Sequence, residues 1–120
     1  MTFSQPLQYF GFYWGSPDTY NVLELRNGGS LVQSFNGTQM ATAAGLIANG
    51  SWAAGAYLNV AADNASEYFD TIVFRSSINA FETDNHAILT AVPEPETYAM
   101  LIAGLGLMGL IARRRKQRLL

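Results

Sequence analysis

Cysteine is absent from the 120 residues. That excludes disulfide frameworks, thiolate zinc sites and cysteine nucleophiles together. Histidine is represented by His86 alone, which leaves little room for a Ser–His–Asp arrangement or a histidine-rich metal site. Positive charge is missing from most of the chain. Of seven Lys and Arg residues, only Arg26 and Arg75 precede position 113. Residues 1–92 hold seven acidic side chains against those two, a net charge of about −5 with all groups ionised. An acidic body argues against nucleic acid as its partner. The segment Met1–Gln8 has neither a basic n-region nor an apolar h-region and does not read as a secretory signal peptide.

What is present is concentrated at two places. The hydrophobic fraction is 49% and the charged fraction 13%, too apolar for a disordered chain and enough for one small domain. The remaining basic residues, Arg113, Arg114, Arg115, Lys116 and Arg118, all lie near the C-terminus. Before them runs Tyr98–Ala112, YAMLIAGLGLMGLIA, without a charge. As a helix it would extend about 22 Å, against roughly 30 Å of bilayer hydrocarbon. Arg113–Arg115 can lay their methylenes along such a helix, and Tyr98 suits the opposite headgroup level. A soluble helix would show a polar face every 3.6 residues, and this run shows none. The segment therefore reads as a transmembrane helix, with the basic end in the cytoplasm and the acidic body outside. Pro93 and Pro95, alternating with Glu94 and Glu96, read as an extended stalk between the two. Gly104-Leu105-Gly106-Leu107-Met108-Gly109 has the form G-x-G-x-x-G, but a dinucleotide site needs a preceding strand and a later acidic residue, and basic residues follow here. Its glycines fit close helix–helix approach better.

Val92-Pro93-Glu94-Pro95-Glu96-Thr97-Tyr98-Ala99-Met100-Leu101, the Gly/Leu-rich run, and Arg113-Arg114-Arg115-Lys116 together resemble the PEP-CTERM sorting signal of Gram-negative bacteria. The resemblance implies export, transient anchoring in the inner membrane, recognition by the membrane enzyme exosortase and cleavage near Pro93–Pro95. Release to the cell surface or the extracellular space would follow, often in bacteria that build exopolysaccharide or biofilm. It assigns Pro93, Glu94 and Pro95 as the sorting motif, with Tyr98, Arg113, Arg114, Arg115 and Lys116 as membrane anchors.

The body reads as β-structure. Aromatic-rich Leu7–Trp14, then Tyr20–Arg26 and Ser30–Phe35 around Asn27-Gly28-Gly29, form strands and a hairpin. Ala56–Ala61, Phe69–Arg75 and Ala80–Leu89 add three more, and Met40–Ile47 suits a short helix or a loop. A period of two puts Phe81, Thr83 and Asn85 on one face and Glu82, Asp84 and His86 on the other. The expected fold is mainly β: an antiparallel, jelly-roll-like β-sandwich over residues 1–91, a stalk over 92–97, a single hydrophobic helix over 98–112 and a basic tail over 113–120. Phe12–Asn21, Phe69–Phe74 and Ala80–Asn85 also resemble a recurrent type of exosortase-dependent surface protein. Such relatives begin with a signal peptide and further strands, so the resemblance implies a truncated product, a misassigned start or a fragment.

No catalytic set emerges, and the body is expected not to be an enzyme. Glu82 and Asp84 share a strand face, and glycosidases work with two carboxylates, yet two solvated acids on the outer face of an edge strand account for them far better. Asp84 is the one candidate calcium ligand; otherwise no cofactor is expected. Trp14 and Trp52 are candidate stacking platforms for a sugar, alongside Tyr13 and Tyr20, although strand aromatics are commonly core residues. The expected partners are the membrane, exosortase and, for a carbohydrate-binding body, a polysaccharide. A structural or adhesive surface domain and a carbohydrate-binding module remain the leading readings, ahead of a polysaccharide hydrolase.

Overall fold

The computed structural model describes residues 1–91 and 95–118, and its side chains exclude 95–97 and 118. Six strands and two α-helices follow in the order β1 (Thr2–Gly15), β2 (Asn21–Asn27), β3 (Ser30–Asn36), α1 (Gly37–Ala44), β4 (Gly55–Ala61), β5 (Phe69–Ser76), β6 (Glu82–Thr90) and α2 (Pro95–Arg118). A single 3₁₀ turn, Ala65–Glu67, links β4 to β5. All six strands join one antiparallel sheet, ordered β3-β2-β5-β1-β4, with β6 on β1. The mainly β expectation holds. The sandwich is realised as one sheet curled on itself, its inner faces packed together.

Strand β1 makes the curl possible. Phe10, Phe12 and Trp14 point inward at the strand period, and Leu7 is also buried, one residue out of phase. The register against β6 slips between Leu7 and Tyr9. At the same place β1 exchanges neighbours: Thr2 and Leu7 pair with β5, and Tyr9 to Gly15 pair with β4. A slip of this kind bends a strand and increases its twist. One long strand can thereby serve both layers.

The β2–β3 hairpin turns on Gly28 and Gly29, at φ 57° and 85°, a backbone that glycine adopts without steric cost. Leu23 lies opposite Phe74, and Leu25 opposite Ile72. This face meets the inward side chains of β1. The Phe12 and Phe74 rings stand edge to face at 5.3 Å, and Phe74 and Phe81 at 4.9 Å. Each such ring or aliphatic side chain, fully buried, contributes about 1.5–3 kcal/mol. On the outer face of β2 and β5, Glu24 accepts from Arg26 at 2.8 Å and from Arg75 at 2.7 Å.

The segment after Asn36 is a helix rather than a loop. The Asn36 side chain accepts from the Gln39 amide, and the Gln39 side chain accepts from the Asn36 amide, a reciprocal cap that satisfies two orphan donors. Gly45 closes the other end at φ 69°. Met40 and Ala41 reach the core from this helix.

The expected alternation along the last strand fails at Asn85, which takes φ 51°. The register against β1 slips there, between Gly11 and Tyr13. In consequence His86 turns to the side of Thr83, 3.0 Å from its hydroxyl. Its ring lies nearly parallel to that of Phe74, 6.0 Å away.

Candidate functional site

The C-terminal helix and the outer face of the β4–β1–β6 layer are the two regions with functional character. Helix α2 runs from Pro95 to Arg118. It therefore starts inside the expected stalk and continues through the expected basic tail. Proline is suited to a first helical turn, where its missing N–H has no partner to lose. Pro93 and Glu94 lie outside the described residues. Met100, Leu101, Ile102, Leu105, Leu107, Met108, Leu110 and Ile111 are all exposed. Because they point in every direction around the axis, no rotation of the helix hides them from water. Tyr98 is exposed at the N-terminal end of this apolar run, and Arg113, Arg114, Arg115 and Lys116 are exposed at the other.

The transmembrane expectation for 98–112 is corrected by length. Among the described residues, no helix is long and apolar enough to cross a membrane. The uncharged run stops at Ala112, and the three arginines that follow interrupt any longer apolar window.

In the body, the candidates separate. Trp14 is fully enclosed, and its indole donates to Asn21 Oδ1 at 3.0 Å. It belongs to the core and presents no face to a ligand. Trp52 is 90% exposed, in the loop between α1 and β4. That loop is held by a Gly50 amide donating to the Pro17 carbonyl at 2.8 Å. Glu82 and Asp84 stand on the outer face opposite Gly15 and Tyr13 of β1. The Glu82 carboxylate accepts from the Ser16 hydroxyl at 2.9 Å, and Asp84 accepts from the Asn85 amide at 2.7 Å. Among the described residues, no cluster of three or more acidic, histidine or cysteine side chains gathers as a metal site would.

Of the tyrosines around Gly11, sequence reasoning singled out Tyr13 and missed Tyr9 and Tyr57. Tyr9, Gly11, Tyr13 and Gly15 alternate along the outer face of β1, beside Ala61, Asn59, Tyr57 and Gly55 of β4. The Tyr57 hydroxyl reaches across β1 and donates to the Asn85 carbonyl of β6 at 3.0 Å. Tyr9 donates to Asn59 Oδ1 at 2.7 Å. A Cβ at Gly11 would come within 2.7 Å of the Tyr57 hydroxyl and would also strike that of Tyr9. A Cβ at Gly55 would come within 2.6 Å of the Tyr13 ring. The phenols therefore lie down along the sheet, in spaces that glycine leaves open. The neighbouring Tyr9 hydroxyl and partial burial both raise the Tyr57 pKa above that of an ordinary phenol, burial contributing more. A signal existed in the Tyr-x-Gly-x-Tyr-x-Gly alternation, but its meaning depends on which residues β4 places beside it.

The tail leaves β6 at one end, and Glu82 stands at the other. Thr90 pairs with Leu7, and the Ala91 amide donates to the Pro6 carbonyl at 2.8 Å, where the chain leaves for α2. Glu82 pairs with Gly15 at the other end, next to the Trp52 loop.

Residues 91–116 match the family model of the PEP-CTERM protein-sorting motif. No curated protein and no solved structure matches the chain. The motif implies export, membrane association through the C-terminal end before cleavage, and processing by exosortase. The chain thus pairs a curled antiparallel β body with a PEP-CTERM protein-sorting motif that occupies its C-terminal helix.

Proposed function

We propose that the protein is a non-enzymatic surface protein of a Gram-negative bacterium, exported, held briefly at the inner membrane by α2, cut by exosortase near Pro93–Pro95 and delivered to the cell surface or its matrix. The observation that carries this reading is a helix apolar on every side, between a Pro-Glu-Pro triplet and four consecutive basic residues. A soluble protein leaves such a surface in water at a large cost, whereas headgroups and acyl chains accept it. The basic cluster stays on the cytoplasmic side, attracted by anionic lipid. The short apolar run makes the hold shallow, with the arginine side chains extended into the lipid headgroups. A shallow hold suits an anchor that serves only until cleavage. The acidic body, which this role gives no cofactor, acts as a structural or adhesive domain.

The test places the chain behind a secretory leader in a host that has exosortase. Wild type is expected to lose its tail and leave the inner membrane, and replacing Pro93, Glu94 and Pro95 by alanine is expected to leave a full-length, membrane-held product. Equal size and location for the two proteins would overturn the reading.

A further inference from the structure

We propose that the outer face of the β4–β1–β6 layer is a binding site for a neutral polysaccharide chain, with Tyr13 and Tyr57 as its stacking platform and Tyr9 beside them. The inference draws its setting from the surface role above but stands on the geometry of this face. Its test needs no sorting step, so the two can fail separately.

Three properties of the face point to a sugar. The first is flatness. The Tyr57 ring crosses β1 over Gly11 to reach Asn85, and Tyr13 leans over Gly55. Phenols laid along a sheet present their π-faces outward. Tyr13 and Tyr57 keep 40% and 42% of their surface exposed. An aromatic face carries partial negative charge and attracts the weakly positive C–H groups of a pyranose ring, while its apolar area is removed from water. The rings are already fixed by neighbours and by hydrogen bonds, so little side-chain freedom is lost on binding.

The second property is the arrangement of hydrogen-bonding groups at the rim. Glu82 reaches over Gly15, close to the Tyr13 ring, and Asp84 faces Tyr13 from β6. Asn59 lies on the opposite flank. The Tyr13 hydroxyl donates to no group among the described residues and remains available to a ligand. Carboxylates and amides beside an aromatic ring can take the equatorial hydroxyls of a sugar whose flat side covers the ring.

The third is charge. The two carboxylates are the only ionised groups that β1, β4 and β6 place on this face, and Arg26 and Arg75 belong to the outer face of β2 and β5. A polyanion such as a uronate polymer or a nucleic acid would be repelled. An anionic occupant is thereby excluded, and the occupant proposed is an uncharged chain. Tyr9 and Tyr13 are four residues apart on one strand, about 13 Å, so the platform accommodates several sugar rings in a chain lying along β1. Trp52 is outside this surface and is not required.

The experiment is affinity electrophoresis of the full chain in a zwitterionic detergent without a sugar headgroup. The gels contain hydroxyethylcellulose, xyloglucan or galactomannan, with alginate as the charged control. Retardation is expected in at least one neutral polymer and not in alginate. Tyr13→Ala is expected to weaken that affinity roughly tenfold, about the contribution of one aromatic contact. Tyr13→Phe should keep most of it. Since Tyr57 also covers Gly11, Tyr57→Leu is used to keep the apolar cover while removing the ring, and it too should weaken binding. Trp52→Ala should bind as wild type does. No retardation in any of the three neutral polymers would overturn the proposal. So would retardation by alginate alone, or a Trp52→Ala loss with Tyr13→Ala unaffected.

Discussion

The indole of Trp14 and the side-chain amide of Asn21 form a hydrogen bond of 3.0 Å with neither residue exposed to solvent. Asn21 also accepts from the Asp18 amide at 3.3 Å and donates to the Ala80 carbonyl at 3.0 Å. One buried amide thus ties the end of β1, the start of β2 and the approach to β6. Replacing Asn21 by leucine leaves the indole N–H without a partner in a dry site, while the Ala80 carbonyl keeps the Ser76 hydroxyl as a donor. An orphaned group costs about 1–3 kcal/mol. Asn21→Leu is expected to lower unfolding stability by about 1–3 kcal/mol, measured by chemical denaturation, and a loss below 0.5 kcal/mol would contradict this account.

Gly11 is required for what lies above it. Gly11→Ala inserts a methyl group beneath the Tyr9 and Tyr57 hydroxyls. Overpacking of this kind costs typically about 1–3 kcal/mol, and here it also lifts both phenols off the sheet. A lowered melting temperature is expected together with a changed near-ultraviolet tyrosine spectrum. An unchanged spectrum would show that the rings do not rest on this glycine.

Glu24 gives the body an acid-sensitive point. Hydrogen bonds from Arg75 first, and Arg26 second, hold its carboxyl below the usual carboxylate range. A carboxylate depressed in the folded state stabilises the fold above its unfolded pKa, and that contribution disappears as pH falls through the lower folded value. The stability difference between wild type and Glu24→Gln should therefore be present at neutral pH and shrink on acidification below about pH 4. A difference that is constant with pH would show that the pair adds nothing.

The basic cluster should determine how the tail meets the membrane. Replacing Arg113, Arg114 and Arg115 with glutamate reverses the charge that favours anionic lipid and the cytoplasmic side. Binding of the full chain to vesicles containing phosphatidylglycerol should fall at least tenfold and lose its salt dependence. Undiminished binding would mean that the apolar run alone holds the tail.

The hairpin at Asn27-Gly28-Gly29 was legible because its glycines adopt the positive φ that the turn needs. The tail was legible because its charge pattern is local. Other features depended on distant neighbours. The strand begins at Thr2, not Leu7, because Thr2 finds Thr71 across the sheet. The reciprocal cap of Asn36 and Gln39 was visible in principle, but Asn36-Gly37 also suits a turn. Asn85 broke the face assignment of β6 because a slip against β1 has no signature in the strand's own residues. Trp14 could not be told from a surface ring until its hydrogen bond to Asn21 fixed it inside.

Strand β6 bears the mechanical consequence. The tail leaves from its Thr90 end, while Glu82, at the far end of the nine-residue strand, borders the exposed face. Until the tail is cut, tension between it and anything gripped on that face runs lengthwise down β6. Its ladder to β1 is then loaded in shear, all the rungs at once, instead of peeling open one after another. A body tethered in this way yields to pulling late and as a whole.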